Sequence, residues 1–309
     1  MAVLLTAALA SAWPLWIYST TLAAFGLAHV LSELRYVDGR FGARVGRRLR
    51  IWLGTLLLAV VSVRVLRFAE LIEGEWVTRL ELGFVLALGA GALPALRRAG
   101  AVSRAVAALA LGALVFGLFT SPLLTIMCLA VLHNFTPVGF FAEALRGAER
   151  RRAMALSALV FGLVPLVMAT GLPMRAMEAL GCYAPDLSLL GTGPLAKHLH
   201  VYVPKAWQDS RFAVPFFSAV VYAQCMHYAA VLHVMPQLEG QRRDGPLSGM
   251  RPALFFGGLA VLGVLLFAGF TQDFSQARSV YGIAAALHAW VEVPLLLMAL
   301  APGAGDRPA

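Results

Sequence analysis

Residues 252–270, PALFFGGLAVLGVLLFAGF, run for nineteen positions without a charged side chain. At 1.5 Å of rise per residue, about 20 apolar residues carry an α-helix across a hydrocarbon core about 30 Å thick. A helix this apolar on every side belongs in a large protein core or in lipid. The rest of the chain repeats the pattern. Further apolar windows lie at 12–36, 51–68, 79–96, 105–121, 122–145, 153–171, 212–235 and 279–301, so about nine transmembrane helices are expected. Composition agrees: 60% of the residues are hydrophobic and 13% charged, against roughly 45–50% and about 25% in soluble domains. The mean hydropathy is +0.78. The expected fold is an all-α polytopic membrane helix bundle, with 1–309 as a single transmembrane domain.

The net charge of +9 does not point to nucleic acid, because the basic residues sit in short loops between apolar windows. Arg40, Arg44, Arg47, Arg48 and Arg50 share one loop, and Arg97, Arg98 and Arg104 the next basic one. Arg146, Arg150, Arg151 and Arg152 share a third, and Arg242, Arg243 and Arg251 a fourth. Every second loop is basic. The positive-inside rule therefore puts the N-terminus outside and the C-terminus in the cytoplasm. A multi-pass protein of a bacterial inner membrane is the expected setting. The start of the chain lacks a basic n-region and stays apolar past Pro14, so it does not read as a cleaved signal peptide. Cys128, Cys182 and Cys225 have no CxxC spacing and imply no disulfide framework. The longest connection, 172–211, falls on the outer side and is rich in Pro and Gly. It reads as a loop with one short interfacial helix, either a lid or a connector.

Ionisable residues inside spans are costly and usually face the bundle interior with a partner. Here they are His29 and Glu33, His133 with Asn134, Gln224 with His227 and His233, and His288 with Glu292, with Glu143 nearer a helix end. His29/Glu33 and His288/Glu292 are four residues apart, on one helix face about one turn apart. That spacing serves a metal and equally a structural hydrogen bond. His227 and His233 are six apart, which on a regular helix separates them by about 120° and about 9 Å. Counted from the outer side, His133 and His288 lie near mid-membrane, His227 deeper, and His29, Glu33 and His233 towards the cytoplasm. One interior site shared by four spans is expected. Pro137 removes the hydrogen bond to the carbonyl of His133, predicting a kink there, and Pro294 does the same to Trp290.

Imidazoles with carboxylates and no thiolate set suit non-haem iron, with zinc or copper as alternatives. The expectation is a membrane metalloenzyme, an oxygenase or oxidoreductase, whose lipid-soluble substrate enters from the bilayer, with an electron donor as a possible partner. The metal ligands would be His29, Glu33, His133, His227, His233, His288 and Glu292, with Asn134 and Gln224 orienting them. Two other readings stay open: a b-type haem protein with two of these histidines as axial ligands, and a proton-coupled transporter using the intramembrane His and Glu residues. On the outer loop, His198 and His200, with Met174 and Met177 earlier, form a candidate copper site. Lys197, Lys205 and Arg211 there could meet lipid head groups or the polar end of a substrate.

A histidine in the first span, one mid-chain and a pair late in the chain resemble the Brp/Blh family of membrane β-carotene dioxygenases, which bind iron through histidines. The corresponding residues would be His29 with Glu33 in place of a histidine–aspartate pair, then His133, then His227 and His233. The chain departs from that family in lacking a Pro-His-Gly motif, in spacing its late histidines by six, and in carrying His288 with Glu292. The resemblance implies iron and adds carotenoid cleavage to the expected chemistries.

Overall fold

The computed structural model describes residues 1–97, 99–238 and 245–300. Twelve helices are named here: α1 (Ala2–Ala12), α2 (Pro14–Phe41), α3 (Arg47–Phe68), α4 (Glu75–Leu96), α5 (Ala101–Thr120), α6 (Pro122–His133), α7 (Thr136–Ala144), α8 (Gly147–Ala169), α9 (Leu172–Ala179), α10 (Ala213–Leu238), α11 (Pro252–Gln272) and α12 (Phe274–Ala299). Among the described residues there is no strand. Eight helices are long and apolar enough to cross a membrane, and α6 with α7 makes a ninth if that bent pair is one span. The all-α polytopic bundle and its span count are as the apolar windows require.

Burial separates two kinds of span. In α11 only 11% of the apolar window is buried within the protein, whereas in α10 the share is 72%. Leu254, Phe256, Val261, Val264 and Leu265 of α11 are exposed. In water such a face would cost roughly 25 cal/mol for each Å² of apolar area left wet, so this face belongs against lipid. The span rich in polar side chains, α10, is the one the protein wraps.

By contacts the chain divides into two compact units. The first comprises Met1–Glu33, Ala130–Glu239 and Met250–Tyr281, and the second Leu34–Leu129, Gly240–Gly249 and Gly282–Ala309. In the first unit α1 is a separate helix, because Trp13 ends it and Pro14, which needs no N–H partner in a first turn, opens α2. Its C-terminal residues Ala10, Ser11 and Ala12 are buried, and α1 packs on α9 and α10. Gly171, at φ +78°, makes the left-handed turn from α8 into α9. The 172–211 segment is folded rather than a bare connector. It holds the short helix expected there, α9, and three 3₁₀ turns, and it buries Leu195, Leu199, Tyr202 and Val203. The Asp186 carboxylate accepts the backbone N–H of Leu195 at 2.7 Å.

In the second unit α3 packs on α4, and α4 on α5. Gly117 lets α5 and α6 close into a tight hairpin: a Cβ there would overlap the Thr125 side chain. Arg64 donates from Nε (2.9 Å) and Nη2 (2.6 Å) to Oε1 of Glu81, which also accepts the Trp290 indole N–H at 2.8 Å. Arg64 Nη1 reaches the carbonyl of Gly282 at 2.8 Å. Asp38 Oδ2 accepts the N–H groups of Leu247 and Ser248 and the Ser248 hydroxyl, tying that turn to the end of α2.

Candidate metal centre

Four expected ligands meet in the first unit. His29 and Glu33 lie one turn apart on α2, His133 ends α6, and His227 lies on α10. One ring nitrogen from each of His29, His133 and His227 lies within 4.8 Å of the others, and Glu33 brings a carboxylate oxygen within 4.8 Å of a His133 nitrogen. Two donors each about 2.1 Å from one ion can be at most about 4.2 Å apart. The bound on these separations lies close to that limit. His29, Glu33 and His227 are buried, with exposures of 2%, 0% and 0%, and His133 is half-buried.

His227 is the informative residue. Both of its ring nitrogens are buried without a hydrogen-bond partner among the described residues. Glu33 Oε2 lies 3.3 Å from its Nε2 without the alignment of a hydrogen bond. A neutral imidazole has one N–H to give and one lone pair to place. Leaving a buried polar atom unsatisfied costs about 1–3 kcal/mol. A cation at the centre would take the lone pair, and its charge would be offset by Glu33. The donor set therefore fits a transition metal. The ring centroids of His133 and His29 lie 4.6 Å and 5.3 Å from that of His227.

Local sequence explains how the donors reach one place. Pro137 cannot donate to the carbonyl of His133, and the Thr136 hydroxyl caps that carbonyl instead, at 2.9 Å. The helix breaks between His133 and Thr136 with a bend of 47°, as the proline predicts. Below His227, Ala230–Val234 forms a π turn, a widening often found at functional sites. Tyr228 stacks on His29 with centroids 4.1 Å apart and planes at 27°, and Tyr281 lies close to it. Sequence reasoning missed this pair, since tyrosines in an apolar span look like core. Tyr228→Leu removes the plate that holds the His29 ring. Metal affinity should fall about 10–100-fold, the range for losing a group that orients a ligand, while Tyr228→Phe keeps most of it. Titration with cobalt(II) followed by absorbance measures both.

Other expected residues lie elsewhere. His233 is exposed, because six residues and a π turn carry it off the buried face of α10; it is not part of this cluster. Asn134 donates its amide to the carbonyls of Ala130 and Val131 in its own helix, as short polar side chains often do. Gln224 accepts the Tyr202 hydroxyl at 2.6 Å. Neither amide therefore orients an imidazole through these bonds. His288 and Glu292 lie in the second unit, one turn apart on α12 and each 1% exposed. The helix runs on through Pro294.

The two outer-loop histidines are held differently. His198 Nε2 donates to the Thr192 carbonyl at 3.0 Å, and its Nδ1 accepts from Arg278 at 3.2 Å, so no lone pair is left for a metal. His200 is exposed. Desolvation by neighbouring atoms first, and then the Arg278 charge, lower the pKa of both rings.

No family model, curated protein or solved structure matches this chain.

Proposed function

We propose that this protein is a membrane metalloenzyme, a non-haem iron oxygenase or oxidoreductase, holding its metal on His29, His133 and His227 with Glu33. The observation that carries this reading is His227, whose two buried nitrogens lack hydrogen bonds among the described residues while the His29 and His133 rings lie beside it and a Glu33 oxygen is 3.3 Å from its Nε2. Three nitrogens and one oxygen, without thiolate, are donors that suit iron. Iron, when bound, supplies one-electron and dioxygen chemistry.

The chain's own residues perform the remaining work. Glu33 offsets the cation's charge, burial of His29 and His227 keeps bulk water out, and Tyr228 fixes the His29 ring. The substrate is an apolar molecule drawn from the bilayer, such as an acyl chain, an isoprenoid or a carotenoid. The resemblance to the Brp/Blh pattern favours the carotenoid among these. The basic loops face the cytoplasm of a bacterial inner membrane, and an electron donor completes a redox cycle.

Ring spacing favours non-haem iron over haem. Two imidazoles on opposite faces of one haem iron hold their centroids about 6 Å apart with the macrocycle between them. The two pairs that include His227 lie closer than that, at 4.6 Å and 5.3 Å.

Elemental analysis and an absorbance spectrum of protein purified without chelators test the proposal. About one equivalent of iron without a Soret band is expected. Metal-free protein that takes up none on titration overturns it in favour of the transporter, and a Soret band favours the haem protein.

A further inference from the structure

Arg278 lies four residues into α12 and is half-buried. A charge in that position ordinarily faces a carboxylate. Its neighbours here are both neutral: Nη1 donates to His198 Nδ1 at 3.2 Å, and the Tyr18 hydroxyl lies close by. The His198 ring is held in turn by the Thr192 carbonyl and is ringed by Tyr18 and Phe274, at 5.9 Å and 5.5 Å between centroids. The guanidinium is therefore aimed, yet its charge is not neutralised.

The charges that act on the His198 and His200 rings are positive. Lys197 and His200 lie close enough to act on the neighbouring rings. Both histidines have lowered pKa values, desolvation by neighbouring atoms being the first cause and the Arg278 charge another, so the fixed cations are Arg278 and Lys197. Among the described residues no carboxylate oxygen comes within 4.0 Å of Arg278, Lys197 or His200. The acids of this region serve backbone instead. Asp186 holds the Leu195 N–H, and Asp273 caps α12 at the Gln276 N–H.

We infer that Arg278 and Lys197 form a phosphate-binding site in the folded 172–211 segment, separate from the metal centre. Arginine provides a planar fork that matches phosphate oxygens, and lysine a point charge. The phosphate belongs either to an anionic lipid head group or to a soluble anion. The site is independent of the metal reading, because none of its residues is a ligand there.

The test uses the full chain. In nanodiscs, pure phosphatidylcholine is compared with the same lipid containing roughly one phosphatidylglycerol in five. In detergent, inorganic phosphate is titrated. The readout is the unfolding midpoint from tryptophan fluorescence, since a ligand that binds only the folded state raises it. A rise with phosphatidylglycerol alone identifies a lipid head group, and a rise with inorganic phosphate identifies a soluble anion. Arg278→Gln should weaken the response about 10-fold or more, as loss of a charge-assisted contact does. Lys197 is exposed on a 3₁₀ turn, so Lys197→Gln leaves the fold intact and should weaken the response about 3-fold. Wild-type protein that responds to neither probe overturns the site, as does an equal response in Lys197→Gln and wild type.

Discussion

Replacing His227 with alanine should reduce bound metal from about one equivalent to a trace, with affinity falling by more than the about 10–100-fold expected for a residue that only orients a ligand. His227 is the hub of the cluster, since its ring faces those of His29 and His133 and its Nε2 lies 3.3 Å from Glu33. A second measurement separates the metal role from a structural one. In metal-free protein the substitution removes two unsatisfied buried nitrogens, which offsets part of the cavity it leaves. The metal-free melting temperature should therefore change little, whereas the rise on adding metal should vanish. His233→Ala is the control, because that ring is exposed, and it should retain full metal content. If His227→Ala binds metal as wild type does, the centre is not where these residues meet. Metal content of His288→Ala and Glu292→Gln tests the sequence-based expectation that the α12 pair also supplies ligands.

The largest loss of stability is expected in the second unit, at Glu81. Its Oε1 accepts two N–H groups of Arg64 and the Trp290 indole, and its side chain is 5% exposed against 26% for Arg64. Removing one partner of a buried ion pair costs about 3–5 kcal/mol, because the other charge is stranded. Arg64 keeps some contact with its surroundings, so Glu81→Leu should cost roughly 2–4 kcal/mol, read as a lowered melting temperature in detergent. The double variant Arg64→Met/Glu81→Leu should recover most of the loss, since replacing both charges with apolar groups is often near neutral. A double variant as unstable as the single one would show that Glu81 matters through Trp290 rather than through the ion pair.

Arg64 and Glu81 also mark where sequence reasoning stopped short. Both fall inside the apolar windows, yet each is within a few residues of a helix end, where long side chains usually reach the interface. Only packing reveals that they face each other. The converse holds at His233, which the windows count as an intramembrane histidine. Six-residue spacing already argued against its sharing an ion with His227, and the π turn leaves it on the outside. Asn134 and Gln224 show a third limit. Their depth was legible, but an amide beside a histidine can turn to its own backbone or to a distant tyrosine, and sequence does not record which.

The kink at His133 was legible because a missing N–H is a covalent fact. So were the spans, since the cost of wetting or desolvating a residue depends on its type and its neighbours in the chain. What holds an imidazole, and what leaves Arg278 without a counter-charge, depends on side chains brought together from segments far apart in sequence. His198 is the plainest case: the HxH spacing suggested a metal, and two hydrogen bonds from other segments took both nitrogens. Hydrophobicity and periodicity are local properties, so the order of the residues was enough for a polytopic helix bundle with ionisable side chains inside its apolar windows. Tertiary structure alone decided that His29, Glu33, His133 and His227 converge, because hydrogen bonds and metal coordination act over about 2–3 Å, a scale that only packing can set.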